Sequence, residues 1–300
     1  MLTAGVARAG DNNLTLERIV GLPPAPGALN DPSDPVRQTM YRSLMSELGV
    51  VLAPKHLTTA DSLGWSGFQV DFGSSFTQIS HTADFWKKGV RSVSGKYLPT
   101  IDLMVRKGIW LPMPSFEIGA GFTHVLDSSM FALQLYTKFA IHEGYHKIWW
   151  LPSIAFRGAV SRALGTQQVD LTIVSADMTL SKNFGIGGTW RLEPYGGFDA
   201  MIIIFRGQVI DTTPNIDAFA QGGNSLDLNA NTVFPTQDNI LRWRGFVGLK
   251  ASYAWLSLTA DVGFAFCNDK AQNCGKTDPT KIVDRSNHQL KFSFAASVFF

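Results

Sequence analysis

The sequence predicts an all-β fold, an antiparallel up-and-down transmembrane β-barrel of about ten strands, with eight or twelve as alternatives. Three observations predict it: apolar and polar residues alternate from about residue 65 onward, the strands are long enough to cross a bilayer, and tryptophans gather at one end of them. Only 17% of the 300 residues are charged, whereas 12% are aromatic and 28 are glycine. This composition is typical of strands with one lipid-facing side, and the net charge of +2 argues against a nucleic-acid partner.

The first residues match the end of a secretory signal peptide. Ala7-Arg8-Ala9 fits the small-residue cleavage site, but the basic region and apolar core of a full signal are missing. We therefore predict a signal-peptide remnant over residues 1–9, with a flexible N-terminus as the alternative. Residues 10–34, rich in Gly, Pro, Asn and Asp, are predicted to be extended and to begin an N-terminal segment over residues 10–63.

One helix is predicted within that segment, over residues 35–48. Asp34 and Pro35 supply an N-cap and a proline at the first helical position, and Gly49 stands at the expected stop. An apolar stripe recurs every four residues: Val36, Met40, Leu44 and Leu48. Such a helix could lie against one mouth of the barrel, plug the lumen or dock a partner, and packing against its own protein is the commonest case.

The barrel itself is predicted over residues 64–300. Its ten strands are expected at about 65–79, 98–107, 115–125, 130–142, 152–164, 168–182, 189–206, 240–254, 256–266 and 288–300. Most of them reach the ~9–11 residues that span a bilayer. In the sixth strand the apolar parity changes at Ile173 and Val174, which predicts a β-bulge there.

The connections and the tryptophans divide the barrel into two different ends. Long connections, at about 80–97, 207–239 and 267–287, all follow an odd strand, whereas the links around 185–188 and Trp255 are tight. Six tryptophans share the end with the tight links: Trp65, Trp110, Trp149, Trp150, Trp190 and Trp255. An indole ring is apolar with one polar N–H, so this grouping predicts an aromatic girdle at one membrane interface.

The last strand carries apolar residues at alternate positions counted back from a terminal aromatic residue. The positions concerned are Phe292, Phe294, Val298 and Phe300. This segment resembles the C-terminal assembly signal of bacterial outer-membrane β-barrel proteins, and no subfamily is identified. The resemblance implies the bacterial outer membrane, delivery to the barrel-assembly machinery and a periplasmic C-terminus. An even strand number then implies a periplasmic N-terminus and places the segment 10–63 and its helix in the periplasm.

With Phe300 facing lipid, the alternation assigns fifteen charged side chains to the lumen. The acids are Asp71, Asp102, Glu117, Asp177, Glu193, Asp199 and Asp261. The bases are Arg106, Lys138, Arg157, Arg191, Arg242, Arg244, Lys250 and Lys291. Because a selective pore usually has an excess of one sign, this near balance indicates a narrow or closed lumen with paired charges.

Two cysteines lie seven residues apart in the predicted connection 267–287. In an oxidising compartment Cys267 and Cys274 are expected to form a disulfide, and with no histidine between them a metal site is not expected. The disulfide-tied connection and the connection 207–239 are therefore candidate surfaces for binding a partner.

The function that the sequence predicts is a small-solute channel of transport type or a structural barrel. The alternative is a surface binding or adhesion barrel that acts through its long connections. A third class is a lipid- or peptide-cleaving enzyme, for which His81 with Asp84, and His124 with Asp127, would be the candidates. Neither set has the spacing of a known catalytic motif, so we predict no catalytic residue, no metal and no cofactor. The expected partners are outer-membrane lipid, lipopolysaccharide, the assembly machinery and a periplasmic or surface protein.

Overall fold

The computed structural model describes residues 12–21, 32–92, 95–110, 115–143, 150–212, 231–267 and 281–300. The helices are α1 (Glu17–Val20), α2 (Pro35–Leu52) and α3 (Asp84–Gly89). The strands are β1 (Phe68–Gln78), β2 (Tyr97–Ile109), β3 (Phe116–Val125), β4 (Phe131–His142), β5 (Ser153–Leu164), β6 (Val169–Ser181), β7 (Phe184–Ile186), β8 (Trp190–Gly207), β9 (Ile210–Asp211), β10 (Asn231–Thr232), β11 (Ile240–Tyr253), β12 (Leu256–Ala265) and β13 (Gln289–Phe299). The predicted signal remnant, residues 1–9, lies outside the described residues.

Ten of these strands form one closed antiparallel barrel. Each pairs with its neighbour along the chain, β8 pairs with β11, and β13 pairs with β1 to close the ring. The short strand β7 extends the hairpin between β6 and β8, while β9 and β10 form a separate ribbon. The predicted ten-stranded up-and-down barrel is confirmed.

The register of the barrel explains how much room its lumen has. Following paired residues once around the ring leads from Trp190 to Ile202, 12 residues further along the same strand. With a strand spacing of ~4.8 Å and a rise of ~3.4 Å per residue, ten strands then tilt by about 40° around a radius of about 10 Å. An α-helix with its side chains is ~10–12 Å wide, so one helix fits if the wall residues beside it are not bulky.

The two surfaces of the wall differ as a bilayer requires. Large apolar side chains point outward and are exposed, among them Phe72, Leu135, Phe198, Val247 and Leu258. The intervening positions point inward and are largely polar or charged. No helix in the described ranges is long and apolar enough to cross a membrane.

The two ends of the barrel are named here for their connections. The loop mouth carries the connections 79–96, 126–130, 165–168, 208–239 and 266–288, and the turn mouth carries the connections 110–115, 143–152, 182–189 and 254–255 together with Phe68 and Phe300. At the turn mouth the backbone amide of Phe300 donates to the carbonyl of Phe68 at 2.8 Å.

The N-terminal segment passes through the lumen from one mouth to the other. At the loop mouth, the backbone amide of Asn12 donates to the carbonyl of Asp127 at 3.0 Å, in the connection between β3 and β4. The helix α2 fills the adjoining half of the lumen, residues 53–61 continue through the other half, and β1 then begins at the turn mouth. We call residues 35–61 the plug.

This path differs from the prediction that residues 10–63 and the N-terminus lie at the same mouth as the C-terminus. An even number of strands fixes only where β1 begins, which is indeed the mouth of Phe300. The chain before β1 can still run back through the lumen, and the described part of it ends at the opposite mouth. Strand parity says nothing about residues that precede the barrel, so the compartment that the N-terminus reaches stays a prediction.

The parity change in β6 is not a bulge. The strand alternates strictly between buried and exposed residues from Val169 to Ser181, and its pairing with β5 and β8 shows no shift of register. Leu171 and Ile173 face inward, fully buried, and belong to the same apolar core as α2. The predicted bulge is therefore wrong: the inward positions become apolar where the wall packs on a helix.

The plug helix is also longer than predicted. Its start is as expected, because the Asp34 side chain accepts a hydrogen bond from the amide of Val36 and Pro35 is the first residue. It continues past Gly49 to Leu52, so the prediction of a stop at Gly49 is wrong. A Cβ at Gly49 would lie 2.5 Å from Cδ1 of Ile203, which shows that this glycine permits the close approach of helix and wall.

Candidate functional site: the plugged lumen

The charged side chains assigned to the lumen are almost all buried inside the barrel. Fourteen of the fifteen are at most 9% exposed: Asp71, Asp102, Arg106, Glu117, Lys138, Arg157, Asp177, Glu193, Asp199, Arg242, Arg244, Lys250, Asp261 and Lys291. Arg191 has the same parity but is exposed at the turn mouth, because it lies in the part of β8 that pairs with the short strand β7.

Acids and bases on the wall form ion pairs with one another. Buried pairs join Arg106 to Asp71 (2.7 Å), Lys138 to Glu117 (3.0 Å), Arg157 to Asp177 (2.6 Å), Arg244 to Asp199, and Lys250 to Glu193 (4.0 Å). An unpaired buried charge is costly, so this pairing is what a filled lumen requires. Five of the seven acids are thus paired with a base of the wall, whereas Lys291 Nζ is buried without a hydrogen-bond partner in the described part of the chain.

The wall also donates hydrogen bonds to the backbone of the plug. The donors and acceptors are Ser161 Oγ to Leu52 O (2.7 Å), Arg244 Nη2 to Pro54 O (3.2 Å), Arg157 Nη1 to Lys55 O (2.5 Å), and Lys138 Nζ to Thr59 O (3.1 Å) and Asp61 O (3.0 Å). An extended segment lacks the regular internal backbone hydrogen bonds of a helix, so its buried carbonyls need such donors. The same arginines and lysines therefore neutralise wall acids and hold the plug.

Two side chains of the plug complete the polar contacts. Lys55 Nζ lies 3.3 Å from Asp102 Oδ1 and donates to Thr100 Oγ1 at 3.2 Å. His56 Nε2 lies 3.2 Å from Asp199 Oδ2, and its ring stacks on Phe246 with centroids 4.1 Å apart. Neither residue has a predicted role, because filling of the lumen is only one of three placements that the sequence leaves open for the preceding helix.

One group of potential metal ligands lies in the lumen. Ligand atoms of His56, Asp177 and Asp199 are buried within 4.8 Å of one another. However, Arg157 and Arg244 already donate to the two carboxylates, and His56 contacts Asp199. Two buried guanidinium groups would repel a divalent cation, so these residues fit an ionic network that holds the plug and do not fit a metal centre.

At the loop mouth, the buried Glu47 of α2 fixes two connections of the barrel. Its Oε2 accepts from the Ser80 amide (2.8 Å) and from Trp86 Nε1 (2.6 Å), while Oε1 accepts from Ser80 Oγ (2.6 Å) and from the Asn287 amide (3.1 Å). Glu47 thereby joins the connection β1–β2, the connection β12–β13 and the plug. Sequence reasoning missed it, and the only signal was a lone acid in a helix that otherwise carries few charges.

The predicted girdle residues lie at the turn mouth, and the assembly-signal residues lie along β13. Trp65, Trp110, Trp150, Trp190 and Trp255 are all exposed at the turn mouth, and Phe300 lies beside them. Among the assembly-signal positions, Phe294 is exposed on the lipid side, while Phe292 and Val298 share its parity in β13. Trp149 and Cys274 lie outside the described residues, so the disulfide of Cys267 with Cys274 stays a prediction.

The histidines considered for catalysis are not organised into a catalytic set within the described ranges. Neither His81 nor His124 forms a hydrogen bond to a serine or a carboxylate there, and His124 faces outward on β3. The nucleophile, base and orienting group of a hydrolase must contact one another.

No family model and no curated protein matches the chain. Among solved structures, it is similar to the attachment invasion locus protein Ail of Yersinia pestis, with 10% identity over 79% of this chain and 99% of that chain, and a TM-score of 0.27. It is similar to Neisserial surface protein A with 10% identity over 77% and 95% of the two chains, and a TM-score of 0.27. The translocator domain of the autotransporter NalP from Neisseria meningitidis gives 11% identity over 89% and 96%, and a TM-score of 0.37.

These similarities are too low to assign a function, so the class follows from the strand pairing and the two wall surfaces. A closed ten-stranded antiparallel ring with an apolar outside and a charged, filled inside defines a transmembrane β-barrel. The predicted resemblance to bacterial outer-membrane β-barrels is thus confirmed at the level of the fold. No subfamily is identified.

Proposed function

We propose that the chain is an outer-membrane barrel sealed by its own N-terminal segment, which works as a structural barrel and not as an open diffusion channel. One observation carries the proposal: residues 35–61 occupy the lumen and use the charges of the wall. In α2, 13 of the 18 residues are buried, which is more than an amphipathic helix lying on a surface would bury.

The electrostatics of the lumen support the same function. A conducting pore keeps charged side chains exposed to water along its axis. Here Arg157 and Arg244 each contact both a wall carboxylate and a carbonyl of the plug. Passage of a solute would therefore require the plug to leave, and two buried arginines would lose their acceptors.

Conductance in planar bilayers tests this proposal. The full chain, folded in detergent, is first checked for a fast-migrating unheated form on SDS gels that shifts on boiling. We expect no steady conductance from this protein, whereas a variant lacking residues 32–61 should conduct because the lumen is empty. Steady nanosiemens steps from the unaltered chain would contradict the sealed barrel. A variant that folds but stays silent would mean that wall side chains alone close the lumen.

A second candidate function is surface binding through the long connections. It is favoured by the way the connections dock on the plug: the Asn287 amide contacts Glu47, and the Asp238 carbonyl accepts from Arg42 Nη1 at 2.6 Å. The plug thus supports a continuous surface at the loop mouth. Deleting the connections 207–239 and 267–287 should abolish binding of a partner, and unchanged binding would exclude them.

The proposal includes no catalytic role. If the barrel were an enzyme, substitution of His81 and His124 would abolish turnover of lipid A, phospholipid or surface peptides. Under the proposal, the unaltered chain shows no such turnover. The lipids of the outer membrane, lipopolysaccharide and the assembly machinery are proposed as partners, and the turn mouth with Phe300 is proposed to face the periplasm.

A further inference from the structure

The connection between β1 and β2 presents a basic surface at the loop mouth. Lys87 and Lys88 of α3 and Lys96, which directly precedes β2, are exposed. We call these three residues the basic rim. The segment is held in place by the N-terminal segment, because the Thr15 amide donates to the Gly89 carbonyl at 2.9 Å and Thr15 Oγ donates to the Lys88 carbonyl at 3.2 Å.

The charge of the basic rim is not neutralised nearby. Residues 79–96 contain four Lys and Arg residues and one acid, Asp84, whereas residues 208–239 contain four Asp residues and no Lys or Arg. Within the described ranges, none of the three lysines forms an ion pair with a carboxylate. Most charged side chains of the lumen form ion pairs, and the basic rim differs from them in having positive charge available for an external anion.

Lys96 of the basic rim lies beside lipid-facing aromatic residues at this end of the barrel. Tyr97 is 38% exposed on the outer side of β2, and its ring lies 6.3 Å from that of Phe292. Lys96 Nζ is 5.8 Å from the centroid of the Tyr97 ring. Aromatic residues with a polar tip mark the boundary between hydrocarbon and headgroups, so Lys96 lies at headgroup depth. Lys87 and Lys88 belong to the same connection and are exposed at the same mouth.

We propose that the basic rim binds the phosphate groups of an anionic glycolipid in the leaflet at the loop mouth. This inference rests on the proposed outer-membrane location but does not depend on whether the lumen is sealed. A lysine ammonium binds phosphate as a compact point charge, and three of them near a membrane surface attract an anionic headgroup together. Neutralising all three should weaken binding by a factor on the order of 100.

The test uses the folded full chain in detergent and a fluorescent, bis-phosphorylated lipid A as the probe. The variant Lys87→Gln/Lys88→Gln/Lys96→Gln should bind about 100-fold more weakly, and the difference should shrink at high salt. The matched control Lys107→Gln/Lys182→Gln/Arg191→Gln removes the same charge at the turn mouth and should bind normally. Both variants must keep the gel shift on heating, which shows that they are folded.

Three outcomes would overturn the inference. Equal weakening in both variants would mean that net charge, and not the basic rim, attracts the lipid. Unchanged binding in the first variant would place the lipid elsewhere. Competition by inorganic phosphate as effective as that by unlabelled lipid A would indicate a site for a soluble anion. None of these outcomes alters the conductance result, so failure here and failure of the sealed barrel are distinguishable.

Discussion

The substitution Glu47→Gln tests whether one buried carboxylate holds the loop mouth together. Glu47 is 0% exposed and accepts four hydrogen bonds, from Ser80 (two), Trp86 and Asn287. Glutamine has the same shape, but one acceptor oxygen becomes an NH2 group that can only donate. The least costly orientation puts this NH2 beside Ser80 Oγ, because a hydroxyl can turn to accept.

In that orientation the Asn287 amide loses its acceptor, and because Asn287 is exposed and this bond only partly buried, the loss costs about 1 kcal/mol. The bonds from the Ser80 amide and Trp86 persist, but each loses the charge that made it about twice as strong. The sum is about 3 kcal/mol, equivalent to a factor on the order of 100 in the local opening equilibrium.

Hydrogen exchange of the folded full chain measures this opening. Amides in residues 79–92 and 284–290 should exchange about 100-fold faster in the variant, while the strands at the turn mouth should be unaffected. The control is Glu17→Gln in α1, because Glu17 accepts one side-chain hydrogen bond, from Gln168 Nε2 at 2.8 Å. If both variants exchange at the rate of the unaltered chain, Glu47 does not fix the connections and the reasoning is refuted.

Three further predictions concern the plug and the girdle. Gly49→Ala should lower the free energy of unfolding by about 1–3 kcal/mol, because the new Cβ meets Ile203, and adding Ile203→Ala should relieve the overlap in the same urea titration. Lys55→Met should cost about 3–5 kcal/mol by leaving the buried Asp102 carboxylate without its cation, and Asp102→Asn added to it should recover most of the loss. Trp190→Ala should lower the stability in lipid vesicles by about 1 kcal/mol through loss of its ring contact, and an unchanged urea midpoint would contradict this.

The strands were predictable because one face of each strand contacts lipid and the other contacts the polar lumen. These two environments require apolar and polar residues to alternate along the strand. Every predicted strand overlaps a barrel strand, and the tight link predicted around Trp255 joins the end of β11 at Tyr253 to the start of β12 at Leu256. Trp65 and Trp255 could be placed at one end of the barrel because strand direction alternates regularly in an up-and-down barrel.

The plug was not predictable to the same degree. The start of α2 could be predicted, because Asp34 and Pro35 act only on residues next to them in the chain. The end of α2 could not be predicted. In the sequence, a glycine that ends a helix cannot be told from a glycine that allows close contact with another element, as Gly49 does with Ile203. The apolar run at Leu171 was likewise ambiguous, since a bulge and an inward apolar patch change parity in the same way.

The sequence by itself determined the barrel, a strand number of about ten, the lipid-facing side and the inward charges, because these follow from local alternation and the cost of placing charge in hydrocarbon. Only the tertiary structure decided what fills the lumen, which mouth receives Asn12, and which acid each base contacts. Those choices depend on residues far apart in the chain, such as Lys55 with Asp102 and Glu47 with Asn287, that meet only after the ring has closed around the plug.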